Sequence, residues 1–494
     1  MLQLTLLPSG QRLAVAAGTA LADLLFAHGV EFPCGGRGAC CACRVRIARA
    51  APPPTAADRR AFSEAQLAAG WRLACQHRVL ADIELEIGDW TAPVLADATP
   101  LAVVPRPDCG IAIDLGTTTI AAQLVDRRCG AVLATRTALN PQARHGADIM
   151  SRLDAAARGA AEALRDAVRG ELGRLCRELA ALAPAPVRLV AVAGNTAMHH
   201  LFAGLDPRPL LSPPYRSPHD GERVFRDAEL GWDLNGAEVR LLPCLGGFVG
   251  GDLTAGLLAT ALHQREGPAL LVDLGTNGEL VLGDRQGLLA ASTAAGPAFE
   301  GAGISIGMRA ASGAISAVEA CDGGLRCTVL GGGPARGICG SGLVDAVAAA
   351  LTLGWVLPNG RLAPGRRELP LGDGLALTAR DVRQLQLAKG AIAAGIVMLC
   401  AQRGLAPSAV ERVLLAGAFG NYVRIPSAVR IGLLPFAVER IAAVGNTALR
   451  GARLALHDDD AAYTALRARV AHLELHRLPG YEEAFAQAMA FPAS

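Results

Sequence analysis

The chain has little net charge, few aromatic residues and almost no lysine. Its 47 basic and 45 acidic residues leave a formal charge of +2, so no bulk attraction to nucleic acid is expected. Aromatic residues make up 4% of the chain, and Lys389 is its only lysine. That preference for Arg accompanies a high alanine content and reads as codon usage before chemistry. No run of 18 apolar residues occurs; the best, 391–401, is short and follows Lys389, so no membrane span is expected. The first residues lack a basic segment and run into Pro8-Ser9-Gly10, so no signal peptide is expected and the chain reads as soluble and cytoplasmic. No G-x-x-x-x-G-K-[ST] is present, which sets a P-loop aside.

What is present points to a folded, multi-unit protein. Hydrophobic residues form 51% and charged residues 19% of 494, enough for a large core and, at about 150 residues per unit, about three folding units. The 57 glycines exceed the usual share of about 7% without a G-X-Y period. They imply tight turns and places where backbone approaches something closely.

Five of the 13 cysteines fall between 34 and 75. Cys34, Cys40 and Cys43 make C-x5-C-x2-C, with Cys75 as a distant fourth. In a reducing compartment this suggests a metal site, and the spacing is one residue longer than the plant-type [2Fe–2S] pattern. Zinc competes, but its structural sites usually pair two short Cys motifs, and here the fourth cysteine stands alone. Cys41 is left outside the ligand set. Alternating segments at 3–7, 12–15, 43–47 and 82–87 read as strands, and Thr19 reads as the cap of a helix over 20–28. The segment 1–88 therefore resembles the [2Fe–2S] ferredoxins, an α+β β-grasp fold.

Pro93, Pro100, Pro105 and Pro107 then read as a semi-rigid linker over 89–108. Beyond it, one motif occurs twice. Asp114-Leu-Gly116-Thr117-Thr118-Thr119 ends one apolar strand, and Asp273-Leu-Gly275-Thr276-Asn277 ends another 159 residues later. Each returns into a further apolar strand. A glycine turn aims N–H groups outward, hydroxyls add donors, and the acidic residue sits where Mg²⁺ would be held. Two such hairpins face to face would clamp a nucleotide's phosphates. The pair resembles the phosphate motifs of the superfamily of acetate and sugar kinases, heat-shock chaperones and actin. In the same order, Gly250-Gly-Asp252 resembles its first connecting helix and Gly417-Ala418-Phe419-Gly420 its adenosine motif. The stretch from Val444-Gly-Asn446 resembles its second connecting helix. The resemblance implies a two-lobed α/β, actin-like (ribonuclease H-like, duplicated) ATPase, with lobe I at 109–266 and lobe II at 267–494.

A ferredoxin joined to this ATPase, with the segments Asn140-Pro-Gln, Ala193-Gly-Asn195-Thr196, Gly337-Ile-Cys339-Gly-Ser and Gln386-Leu-Ala-Lys389, resembles the reductive activators of corrinoid-dependent methyltransferases. That resemblance implies ATP-dependent return of a corrinoid protein from Co(II) to Co(I), one electron coming from the [2Fe–2S] cluster. It implies Asp114, Asp252 and Asp273 as the acidic residues of catalysis, with ATP and Mg²⁺ as ligands. Gly116, Thr117, Thr118, Thr119, Gly275, Thr276 and Asn277 would meet phosphates, and Gly417 to Gly420 adenosine. Lys389, i+3 from Gln386 on a helix, would reach the nucleotide. The partners implied are the corrinoid protein of a methyltransferase system and an external protein electron donor, with a homodimer left open and neither nucleic acid nor membrane involved. Rival readings are an activator of another low-potential enzyme and a non-catalytic redox- and nucleotide-sensing module. His199-His200 reads as a core pair, and the eight cysteines from Cys109 to Cys400 as buried small hydrophobes.

Overall fold

The computed structural model describes residues 1–7, 10–26, 28, 30, 38, 43–87, 98–146, 148–275, 277–457 and 460–493. The first sheet has five strands, in the order Gln11–Val15, Leu2–Leu7, Ile83–Glu86, Arg44–Arg49 and Trp71–Leu73. Leu2–Leu7 pairs parallel with Ile83–Glu86 and the other neighbours are antiparallel. Alternation decides the faces: Leu4, Leu6, Val45, Ile47, Ile83 and Leu85 all point into one small core. Helix Leu21–Phe26 covers it. Thr19 lies two residues before that helix, and its hydroxyl donates to Ala16 O at 2.8 Å. The three-residue strand Trp71–Leu73 and two short helices, Ala56–Ala61 and Glu64–Ala68, are too short in sequence to show a period.

Asp58 holds this end of the sheet. It is fully buried, accepts from Leu73 N (2.8 Å) and Thr55 N (2.7 Å), and pairs with His77 Nε2 at 2.8 Å. Burial opposes its charge, but those hydrogen bonds outweigh it and keep the carboxyl below its ordinary range. Asp58→Ala leaves those donors unpaired in the core. The expected cost is about 3 kcal/mol, read as a lower melting temperature of the N-terminal domain.

Two six-stranded sheets follow. One runs Arg223–Arg226, Glu238–Leu241, Val187–Gly194, Cys109–Leu115, Thr119–Asp126, Ala131–Leu139. The other runs Ile441–Gly445, Arg412–Ala416, Ala269–Leu274, Gly278–Asp284, Gly287–Thr293, Val470–His472. In each, an antiparallel meander carries a parallel strand on its first member: Cys109–Leu115 with Val187–Gly194, and Ala269–Leu274 with Arg412–Ala416. The two hairpins thus occupy equivalent places in two copies of one sheet.

Helices Gly251–Thr260 and Thr447–Ala455 pack together between these sheets. They approach at glycines, because a Cβ on Gly451 would collide with Ala255 O. The helix Ala379–Gln402 contains an 18-residue stretch with the mean hydropathy (1.5) to cross a membrane, yet 78% of that stretch is buried inside the protein. It is a core helix of lobe II, packed on the helix Tyr481–Ala488.

Lys389 sits on that core helix and not at the cleft. Its ammonium donates to Ala490 O and lies 5.3 Å from the Phe491 ring, while Gln386 donates to Met489 O. Burial pulls it down to about 8. Its work is to fasten the C-terminal segment, since a helix position three residues from Gln386 selects a shared face but not which face.

His199 and His200 are buried as expected, and burial, with His200 adding to it, takes His199 down to about 3. Among the eight later cysteines, Cys109, Cys176, Cys244, Cys339 and Cys400 are buried, Cys321 and Cys327 are half-buried and Cys129 is exposed.

Candidate functional site

Each hairpin brings its turn to the same cleft, of about 280 Å³. Asp114, Gly116, Thr117, Thr118 and Thr119 line one wall; Asp273, Gly275 and Asn277 line the other; Asp252 comes from the first connecting helix. Gly417 and Phe419 close one side. Gly417 has φ +86°, and a Cβ there would collide with Asp273 Oδ1, so this turn requires glycine. Phe419 stacks on Phe299 with centroids 4.6 Å apart, a flat apolar wall of the kind a heteroaromatic ring fits. Gly420 is packed on Leu415 and does not line the cleft. Thr276 lies outside the described residues, as does the side chain of Ala418.

The acidic residues dominate the electrostatics. Burial raises Asp114 to about 6, with a hydrogen bond from Asn446 opposing it. Burial and then the Asp114 charge raise Asp252 to about 7, and burial with both neighbours raises Asp273 to about 8. Glu279 is pushed up by burial and by Asp252 and Asp273. Four carboxylates gathered in one cleft are stabilised by positive charge brought in, which suits a divalent cation with its hydration shell. Among the described residues, no three His, Cys, Asp or Glu side chains are placed to ligate one ion directly. Arg309 is the basic residue among those lining the cleft, lowered by burial to about 9.

Several lining residues were not singled out from sequence as site residues: Asn195, Asn446, Glu279, Phe299, Arg309 and Cys339. The two asparagines carried a signal, since Gly-Asn-Thr-Ala occurs at 194–197 and again at 445–448. Each caps a helix with Oδ1, accepting from Met198 N and Leu449 N. Each then spends its amide on a hairpin residue: Asn195 Nδ2 donates to Thr117 Oγ1, and Asn446 Nδ2 to Asp114 Oδ2, both at 2.8 Å. Glu279 stands where the first hairpin has Ile120, a charge in a strand position that is otherwise apolar.

Asn446→Ala removes a donor that favours the ionised form of Asp114. Its titration then moves up, by about one unit if the bond contributes about 1.4 kcal/mol. The acidic limb of the pH profile for ATP hydrolysis is expected to shift to higher pH by that amount.

In the N-terminal domain, Cys34 and Cys40 lie outside the described residues. Cys43 and Cys75 are brought together at the ends of neighbouring strands, with Ala74 N donating to Cys43 O at 2.9 Å. Gln76 Nε2 donates to Cys75 Sγ at 3.3 Å, an outer-sphere N–H···S contact of the kind that tunes a cluster. Gly38 (φ +69°) is pressed so closely on Gln76 that a Cβ would sit 2.9 Å from Gln76 Cδ. A sulfur acceptor, a buried thiol and a close glycine fit an iron–sulfur cluster.

Comparison with known proteins agrees with this division. Residues 4–80 match the 2Fe-2S iron-sulfur cluster binding domain, 109–265 the RACo middle region, and 267–494 the C-terminal domain of RACo, the ASKHA domain. The chain is 33% identical over 428 residues to the corrinoid activation enzyme RamQ of Eubacterium limosum, covering 79% of this chain and 72% of that one. It is 32% identical over 385 residues to the [Co(II) methylated amine-specific corrinoid protein] reductase of Methanosarcina barkeri, covering 70% and 69%. A solved reductive activator for corrinoid, iron-sulfur protein superposes with a TM-score of 0.69 at 28% identity, covering 100% of this chain and 98% of that one. An N-terminal ferredoxin followed by a duplicated actin-like fold is its architecture, and the chain belongs to the family of reductive activators of corrinoid proteins.

Proposed function

We propose that this protein uses ATP to drive the one-electron reduction of a partner corrinoid protein from Co(II) to Co(I). The observation that carries this reading is the union, in one chain, of a [2Fe–2S] domain with an acid-lined nucleotide cleft, matched through most of its length by corrinoid activators. A [2Fe–2S] cluster supplies single electrons at about −400 mV in plant-type ferredoxins. Each 59 mV by which a one-electron acceptor lies lower costs about 1.4 kcal/mol, so a nucleotide-driven step has work to do.

Cys34, Cys40, Cys43 and Cys75 would hold the cluster. Asp114, Asp252 and Asp273 would hold Mg²⁺ through its water shell and orient the attacking water, with Glu279 beside them. Phosphoryl transfer needs positioning and charge neutralisation more than a covalent nucleophile. The hydroxyls and backbone N–H groups of residues 116–119 and 275–277 supply positioning, and Arg309 supplies charge. The Phe299–Phe419 wall and Gly417 would receive the adenosine end. The electron would reach the cluster from an external protein donor.

Hydrolysis of MgATP by the reconstituted protein should rise severalfold when a cognate Co(II) corrinoid protein is added. A rate indifferent to that partner would contradict the proposal.

A further inference from the structure

Strand Arg44–Arg49 starts directly after Cys43, and its first side chain reaches out of the iron–sulfur domain. Arg44 Nη2 donates to Gly307 O of lobe II at 3.2 Å. On the same sheet Glu86, ion-paired with Arg46, also feels the charge of Arg336. Gly307 and Arg336 belong to two segments laced together by backbone, Met308 N donating to Ile338 O (2.9 Å) and Ile338 N to Ile306 O (2.8 Å). One segment continues into Met308 and Arg309 and the other into Cys339 and Gly340, all at the cleft wall.

A second contact reaches lobe I. Ala143 packs against the core of the iron–sulfur domain. Three residues earlier, Asn140 Nδ2 donates to Gly116 O and Asn140 N to Thr118 O, both at 2.9 Å, which ties that turn to the first hairpin. The tether is itself fastened: Arg453 Nη2 donates to Thr99 O at 2.6 Å, and His457 Nδ1 lies 3.1 Å from Val104 O.

We propose that the iron–sulfur domain bridges the two lobes, held by the Arg44–Gly307 hydrogen bond on one side and by the Ala143 turn on the other, so that its seating and nucleotide occupancy are coupled. A nucleotide that draws the lobes together changes the spacing of the two contact points. A domain resting on both must shift or give up one contact. Among the described residues the attachment combines a polar contact with a small apolar one, as interfaces that open and close do. Coupling of this kind is reciprocal, so the seated domain also biases nucleotide affinity. The inference rests on reading the cleft as a nucleotide site.

Hydrogen exchange of the full, cluster-loaded protein, with and without MgATP, tests it. Segments 44–49 and 83–86 do not line the cleft, yet their exchange is expected to change at least threefold when MgATP is added. Arg336→Glu, an exposed position in lobe II, should abolish that response while keeping the iron–sulfur spectrum and the MgATP protection of 114–119. Arg44→Ala should do the same from the other side. Unchanged exchange in the N-terminal segments of the native protein, or an equal response in Arg336→Glu, overturns the coupling. Absence of protection at 114–119 in the native protein overturns instead the reading of the cleft on which it rests.

Discussion

Asp114→Asn is expected to lower ATP hydrolysis by on the order of a thousandfold and to bring ATP-driven corrinoid reduction to background. The substitution keeps the shape of the side chain and leaves an oxygen for Asn446 Nδ2, which bonds Asp114 at 2.8 Å. What it removes is one negative charge from a group of four carboxylates, Glu279 buried and the three aspartates half-buried at the cleft. The fold should gain from that removal. A carboxyl raised to about 6 by burial stabilises the folded chain fully below the unfolded value. That contribution is lost as pH rises through about 6, so above it the ionised group is a burden of on the order of 3 kcal/mol. In the absence of nucleotide and Mg²⁺, the variant should therefore melt higher than the native protein at pH 7.5. A variant that is dead for turnover, tighter in fold and unchanged in its iron–sulfur spectrum would place Asp114 in the chemistry and not in the scaffold. Retained hydrolysis would remove it from the site.

Cys43→Ala has the opposite signature. Cys43 is 1% exposed and its carbonyl receives Ala74 N, so the backbone link to the Cys75 turn survives the change. The thiol does not. Loss of one of the four proposed ligands is expected to abolish stable cluster incorporation, seen as loss of the visible iron–sulfur absorption and of the reduced-state EPR signal. Electron delivery falls to background with it. Binding of MgATP is expected to persist, because the described residues that line the cleft all lie beyond 109. A full cluster signal in Cys43→Ala would exclude it as a ligand.

These two substitutions separate the halves of the molecule, and the halves differed in how far sequence could show them. The duplicated hairpin was legible because the same constraint, an acidic residue and a glycine turn at a strand end, was imposed twice. Asn195 and Asn446 repeat the same four residues as well, but their roles depend on which strand end faces which hairpin, information held in the packing of two sheets. Glu279 looked like strand until the cleft placed it beside Asp273. Lys389 shows the converse: its uniqueness in composition suggested function, and tertiary packing gave it to the C-terminal segment. The strand Trp71–Leu73 was missed because three residues are too few for alternation to register. Arg44, next to a predicted ligand, carried no signal, since a contact to Gly307 spans 263 residues of chain.

The central claim is that ATP turnover in this cleft drives an electron from the N-terminal domain to a corrinoid. The most direct measurement mixes the cluster-loaded protein with a Co(II) corrinoid protein and a reductant, then follows the visible spectrum with and without MgATP. Co(I) is expected to accumulate when MgATP is present and to form little without it, with Asp114→Asn behaving as if MgATP were absent. Equal and complete reduction in both samples, or no Co(I) in either while ATP is hydrolysed, would contradict it.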